Sequence, residues 1–387
     1  MLFLHFSGMM KKERCSGKKA WRLSGTLIFH LLCKNISSYM KKSLKNINPE
    51  HILIIQTAFI GDVIMSTPLI QAVCDRWPDS EVDILTRPES AILFSKHPRI
   101  RRIYTLDKSG QQRKYESLTN KIRELRPNDY DIAFSIQSSL TSSLLMLLCR
   151  INIRVGFYRQ KLINVKIHPP KGLHVRKRYL TMIEPFTDKT YSDETHLYLG
   201  TKDKQKADNI VGKIKKNREI LIGFAPGSVR ETKKWPASYW TELLILLENK
   251  GYEIVFLGSP SERELCASII HNAGLKAWNA AGELNLLESA ALIHKLDLLV
   301  CNDSAPLHMG NAVKTPVYAF FGPTVKAFGC YPYREYDKIL EIDLPCRPCG
   351  KHGHDRCPLR HFKCMMEQYP GDIAELIFER FKHESKT

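Results

Sequence analysis

Apolar residues in this chain come in short runs separated by amphipathic stretches, and the alternation begins near residue 51. Ile52, Leu53, Ile54 and Ile55 form a four-residue run of the kind a buried parallel strand shows. Residues 57–62, Thr-Ala-Phe-Ile-Gly-Asp, read as a turn, after which Ile64, Leu69, Ile70 and Val73 recur at helical spacing. Strand, tight turn with glycine, then helix is how a doubly wound α/β domain opens, and ligands in that architecture sit beyond the carboxyl ends of the strands. Asp62 falls at that position. An aspartate there also reads as a cap on the following helix.

The same alternation predicts strands over 82–85, 103–106, 131–136 and 154–157. Helices are expected over 117–125, stopped by Arg126-Pro127-Asn128, and over the leucine-rich stretch 138–149. Residues 202–218 carry Lys at 202, 204, 206, 213, 215 and 216 and read as a solvated helix between domains. A second domain begins at Glu219, with strands over 220–224, 254–257, 298–301 and 317–321. Its helices cover 240–249, closed by Lys250-Gly251, then 261–273 and 285–293. A β-α repeat of this kind predicts mostly parallel sheet, hence two Rossmann-like domains with a cleft between them.

Composition changes the picture at three points. At 387 residues the length suits two domains. The net charge of +18 calls for an acidic partner: nucleic acid, an anionic membrane face or a phosphorylated substrate. No apolar run is long enough to cross a bilayer. The eleven cysteines, scattered except for one cluster, suit reduced thiols in the cytoplasm. Residues 1–49 stand apart. They are basic at Lys11, Lys12, Arg14, Lys18, Lys19 and Arg22, with apolar and charged parts in the wrong order for a signal peptide. Met40 as the true start is one reading of this extension, and a basic membrane tether is the other.

Three loops of the second domain each follow a strand and should meet at one crevice edge. Residues 225–236 supply Gly227, Ser228, Lys233 and Lys234, a cradle for phosphate. Residues 258–262 supply Glu262, a carboxylate of the sort that binds ribose hydroxyls. Residues 303–308, Asp-Ser-Ala-Pro-Leu-His, open a helix whose free N–H groups and dipole favour an anion. Taken singly, Asp303 also reads as an N-cap and Trp235-Pro236 as a packing turn. Taken together, the loops describe a nucleotide-diphosphate site.

These stretches carry a family resemblance. Residues 57–68, Lys233-Lys-Trp-Pro236, Asp303 to His308 and Phe321-Gly-Pro-Thr324 together resemble glycosyltransferase family 9, the lipopolysaccharide heptosyltransferases, whose fold is GT-B. The resemblance runs from about residue 50 to the end. It implies an acceptor-side domain over 50–200, a charged linker over 201–218 and a nucleotide-sugar domain over 219–369. A C-terminal helix over 370–387 would cross back onto the first domain. It further implies that Asp62 is the catalytic base and that Lys233 and Ser228 meet the donor phosphates. Glu262 would bind the ribose, and Asp303, Ser304 and His308 would complete the donor site. The family usually has glycine where this chain has Ala305, which bears on the identity of the donor.

The implied reaction is inverting transfer of heptose from ADP-heptose to the lipopolysaccharide inner core. Asp62 takes the acceptor proton, while Lys233, Ser228 and the helix start at Ser304 stabilise the diphosphate, so catalysis requires no cofactor. The expected partners are a nucleotide sugar, an anionic glycolipid and the cytoplasmic face of the inner membrane. Arg87, Arg154 and Arg176 are candidates for acceptor carboxylates or phosphates. Cys346, Cys349, Cys357 and Cys364, with His352, His354 and His361 among them, leave three readings open: structural zinc, free thiols or disulfides. The rival functions are a GT-B enzyme using another nucleotide sugar, a nucleic-acid-binding protein with a zinc module, and a dinucleotide oxidoreductase. No basic-aromatic interleaving supports the second, and no G-x-G-x-x-G supports the third.

Overall fold

The computed structural model describes residues 44–107, 113–214 and 220–384. The expectations for residues 1–43, Lys215, Lys216 and Glu219 lie outside the described residues. The chain divides into a small unit, residues 1–47 with 185–187, and a large unit, residues 48–184 with 188–387. Within the small unit, Ile47 N–H donates to the Leu44 carbonyl at 3.4 Å. Everything that follows concerns the large unit.

Its first half runs β1 (His51–Gln56), α1 (Ile60–Met65), α2 (Thr67–Arg76), β2 (Glu81–Thr86), β3 (Ile100–Thr105), α3 (Arg113–Leu125), β4 (Ile132–Ser135), α4 (Leu140–Leu148), β5 (Ile153–Phe157), β6 (Val165–Ile167) and α5 (Val175–Leu180). Helix α6 (Thr201–Ile214) follows. The second half runs β7 (Leu221–Ala225), α7 (Ala237–Glu248), β8 (Glu253–Phe256), α8 (Arg263–Ala273), β9 (Trp278–Asn279), α9 (Leu286–Ile293), β10 (Leu298–Asn302), α10 (Ala305–Ala312), β11 (Val317–Phe320), β12 (Lys338–Leu340), α11 (Lys363–Met366) and α12 (Pro370–Glu384).

Each half builds one six-stranded parallel sheet. The orders are β3-β2-β1-β4-β5-β6 and β12-β11-β10-β7-β8-β9, the same doubly wound pattern twice. The strands are apolar on both faces because helices cover both: Ile52 to Ile55 and Leu298 to Cys301 are all buried. The order reverses between β1 and β4 in one sheet, and between β7 and β10 in the other. The loops after β1, β7 and β10 therefore open at the two switch points, where ligands bind. Those loops carry Asp62, Lys233 and Asp303.

Several expectations shift. Asp62 lies inside the first turn of α1, and Phe59 is the N-cap with no side-chain bond, so Asp62 does not cap that helix from outside. Strand β6 and helix α5 were not expected, because Pro169, Pro170 and Gly172 hide any periodicity between Phe157 and Val175. The charged stretch does form α6, yet it is not wholly solvated. It buries Ala207, Ile210 and Ile214, and Lys206 reaches Glu288 on α9 at 2.8 Å. Helix α12 departs from the expected return to the first domain. Its Ile373, Ala374, Ile377 and Phe381 enter the second-half core with Trp240, Leu243 and Leu244 of α7, because its apolar stripe finds its partner there.

The contacts between the halves include two beside the crevice. Gly61 of α1 lies so close to α10 that a Cβ there would stand 2.6 Å from His308 Cδ2. At the other joint, Val175 N–H donates to the Gly329 carbonyl at 2.8 Å, and the His174 ring meets the Tyr331 carbonyl at 2.9 Å.

Candidate active site

The donor-side loops are held from below. Asn302, at the end of β10, donates to the Pro226 carbonyl (2.7 Å) and accepts from Trp235 N–H (3.0 Å). Trp235 stacks on Phe320, with ring centroids 4.2 Å apart, and donates through Nε1 to the Gln368 carbonyl. The Lys-Trp-Pro stretch is thus a packing anchor whose function is to aim its first lysine. Lys233 Nζ pairs with Asp303 Oδ2 at 2.6 Å, and the Thr324 hydroxyl donates to the same oxygen at 2.7 Å. Lys234, by contrast, pairs with Glu231 at 2.5 Å and faces outward.

Ser304 is the N-cap of α10, and its side chain makes no cap bond. The helix start therefore keeps its N–H groups and partial positive charge for an incoming anion. Ser228 is buried in the neighbouring loop. Glu262 divides its carboxylate. Oε2 accepts from Ser259 N–H (2.7 Å) and Oγ (2.9 Å), while Oε1 lies over Gly227, where an added Cβ would collide with it. The capping role and the donor-loop position thus coexist. His308 is buried, and loss of solvent pushes its pKa down to about 4, so the ring is neutral at pH 7.

Asp62 stands on the opposite wall. Tyr179 OH donates to its Oδ1 at 3.1 Å. Burial raises the carboxyl pKa, while the Tyr179 bond and the charges of Arg178, His352 and Lys351 oppose that rise. Cys330 is half-buried near Asp62 and Asp303, and its thiol is pushed up to about 12, chiefly by desolvation. The sulfur is therefore protonated at neutral pH and is no rival to Asp62 as a base.

The structure separates the three arginines. Arg87 lies at the Asp62 turn, where Nε donates to the Thr57 carbonyl (3.0 Å) and the guanidinium stands 5.1 Å from the Phe59 ring. Arg176 is corrected. It is buried, bonded to Asp193 through Nη1 (2.5 Å) and stacked 3.6 Å from the Tyr333 ring, so its guanidinium is held at the joint. Arg154 is corrected too, since it spends its donors on the carbonyls of Ile151 (2.6 Å) and Leu162 (2.9 Å). The residues missed were Tyr179, Arg178 and Thr324. Arg178 is two residues from Arg176, about 200° around a helix, and no element was expected there to tell the two faces apart.

The four cysteines lie in one neighbourhood, where Cys346, Cys349 and Cys357 all act on the Cys364 thiol. Cys346 Sγ is 3.9 Å from His361 Nε2, and Cys349 turns its S–H to the Cys346 carbonyl. Among the described residues, no group of three or more His, Cys, Asp or Glu side chains is placed to share a metal ion. In this structure the four sulfurs stand as free thiols.

Comparison with known proteins agrees with this arrangement. The profile of glycosyltransferase family 9 (heptosyltransferase) matches residues 119–358. Lipooligosaccharide heptosyltransferase 2 of Campylobacter jejuni subsp. jejuni serotype O:6 is 26% identical over 325 residues, covering 82% of this chain and 95% of that protein. The glycosyl transferase family 9 structure from Veillonella parvula DSM 2008 superposes with a TM-score of 0.69 at 24% identity, over 76% of this chain and 86% of that one. The E. coli ADP-heptose lps heptosyltransferase II structure gives 0.70 at 22% identity, over 87% and 99%. The fold is GT-B, and the chain belongs to glycosyltransferase family 9, the heptosyltransferase family.

Proposed function

We propose that this enzyme transfers heptose from ADP-heptose to the lipopolysaccharide inner core with inversion. The observation that carries the reading is the meeting of Asp62 from one sheet with Lys233, Asp303 and the α10 start from the other. Membership of family 9, and relatives named for lipopolysaccharide and lipooligosaccharide heptosyl transfer, support it. On this reading residues 50–200 are the acceptor side and residues 219–369 the nucleotide-sugar side. The acceptor oxygen attacks the anomeric carbon as its proton passes to Asp62, and the bond from that carbon to the diphosphate breaks. Tyr179 keeps Oδ1 occupied and leaves Oδ2 for that proton. Lys233, Ser228 and the free N–H groups after Ser304 take the charge that builds on the diphosphate. Glu262 meets the ribose, and neutral His308 packs on Gly61 at the edge of the donor site. Because Lys233 and the helix supply the positive charge, transfer proceeds in EDTA.

Arg87, half-exposed beside the Asp62 turn and paired with Glu89 at 3.5 Å, is the arginine kept for the acceptor side. The basic surface suits the anionic cytoplasmic face of the inner membrane; among the described residues no helix is long and apolar enough to cross it. Ala305 at the first position of α10 favours a second reading, in which the same machinery uses another nucleotide sugar. Incubation with ADP-heptose and a deacylated inner-core oligosaccharide tests the first. One heptose is added to the oligosaccharide and ADP is released, both read by mass spectrometry. ADP-heptose left intact, with a thermal-shift response to a different nucleotide sugar, would replace the donor.

A further inference from the structure

Helix α4 is apolar on two sides. Leu145, Met146 and Cys149 enter the first-half core with Leu53 and Ile55. Leu140, Leu144, Leu147 and Leu148 fall at i, i+4, i+7 and i+8, which makes a second stripe on the opposite side. The core does not cover that stripe: Leu140 is 64% exposed, Leu147 40% and Leu148 44%. The crossover from β5 to β6 runs down beside it. Gln160 Nε2 donates to Ser143 Oγ of α4 at 2.9 Å. Lower down, Arg154 donates to the carbonyls of Leu162 (2.9 Å) and of Ile151, just past the helix end (2.6 Å). The exposed Tyr158 and Leu162 of the crossover extend the apolar patch.

The surrounding charge has one sign. Between Asp131 and Glu184 the chain has no Asp or Glu and nine Lys or Arg. Arg150, Arg159, Lys161 and Lys166 are exposed there, and the stretch itself offers no carboxylate to pair with them. A second copy of this chain seated across a two-fold would set like charge on like. Nucleic acid, held by cations and stacked rings, would leave the leucines without a partner. An anionic bilayer meets both parts of the face at once. The upper end of the face also borders the crevice. Leu140 follows β4 at the carboxyl edge of the sheet, and Gln137, between them, meets Thr57 of the Asp62 turn at 3.5 Å.

We propose that α4 and the β5–β6 crossover form a docking face for an anionic phospholipid bilayer. The leucines enter the boundary between headgroups and acyl chains, and Arg150, Arg159 and Lys161 meet the lipid phosphates. Only the benefit of this placement, delivery of a membrane-held acceptor to Asp62, rests on the transferase reading above. Flotation of the full chain with vesicles tests the face without turnover. Vesicles of phosphatidylethanolamine and phosphatidylglycerol should bind the wild-type protein about tenfold more tightly than phosphatidylcholine vesicles. The triple variant Leu147→Ser, Leu148→Ser, Leu162→Ser and the double variant Arg159→Glu, Lys161→Glu, each checked for an intact thermal transition, should each lose about tenfold. The loss in the double variant should shrink in high salt, and that in the triple variant should persist. A control with the same charge change on exposed lysines of α6, Lys202→Glu with Lys204→Glu, should stay within about twofold of the wild type. No binding by the wild type, binding kept in both face variants, or an equal loss in the control overturns the face. So does a wild-type dimer in light scattering that the triple variant abolishes, since a second copy is then the occupant. On a deacylated soluble acceptor both face variants should turn over within about twofold of the wild type, while on acceptor glycolipid held in the same vesicles they should fall about tenfold. Equal loss on both acceptors overturns the delivery role. Failure of the wild type to use any acceptor counts against the transferase reading, and flotation still decides the face.

Discussion

Tyr179 donates its hydroxyl proton to Oδ1 of Asp62 across 3.1 Å, joining two residues 117 positions apart in the chain. The bond stabilises the ionised carboxylate and, on the proposed mechanism, leaves the other oxygen to act as base. It therefore works against the burial that makes Asp62 reluctant to ionise.

Replacing the base is the sharpest test. Asp62→Asn should fold, bind ADP-heptose as the parent does in calorimetry, and lose about 10²–10⁴-fold in turnover, the usual contribution of a general base. Turnover within threefold of the parent would remove Asp62 from the mechanism.

Tyr179→Phe separates positioning from chemistry. Activity requires ionised Asp62, so it rises with pH through that group. The tyrosine bond lowers the Asp62 pKa, and its loss raises it further. The acidic limb of the kcat/KM profile should move to higher pH in the Phe variant while the alkaline plateau is reduced far less. An unmoved limb would mean that Tyr179 serves only as packing.

The two neighbouring lysines should behave differently. Lys233→Ala removes a charged partner of the diphosphate, worth about 1.5–3 kcal/mol, which is roughly tenfold to a hundredfold in kcat/KM. It also strands Asp303, which is left with Thr324. Lys234→Ala breaks only a surface pair with Glu231 and should fall within twofold. The reverse order of sensitivity would show that the loop is in another register.

Acid should loosen the fold in a defined window. His308 and His174 have pKa values near 4 in the folded chain against an ordinary 6.5, because burial disfavours their charged forms. Unfolding therefore takes up protons at both sites between those values. Their neutral packing is fully favourable above pH 6.5, and stability is lost as the pH falls from 6.5 towards 4. The melting temperature followed over that range should drop steadily, and a flat profile would contradict the burial of both rings.

The legible parts of this chain were those written in local pattern. Ile52 to Ile55 announced a buried strand because both faces of a parallel strand are apolar. Lys233, Asp303 and Asp62 followed from their places after strands, since topology puts such loops at a switch point. Tyr179 and Arg178 were not legible, because their helix sits behind a proline pair and meets Asp62 only through tertiary folding. Arg176 was misread for the same reason: a basic residue two positions along the same helix faces Asp193 and Tyr333 instead of the crevice. The four cysteines were legible as one cluster, because their spacing keeps them within a single loop, but spacing along the chain does not fix where the sulfurs point.

The contact between Gly61 and His308 ties two positions into one unit of change. Gly61→Ala drives a methyl into the imidazole, and relief of such overpacking costs about 1–3 kcal/mol or spreads the halves. The same alanine opposite a trimmed His308→Ala meets empty space. Measured alone, each substitution should harm the enzyme. Measured together, the pair should lose less than the sum, as neighbouring sites that share a contact do. A route by which this crevice could be remodelled therefore passes through both positions at once, and a library that varies either alone will find that route closed.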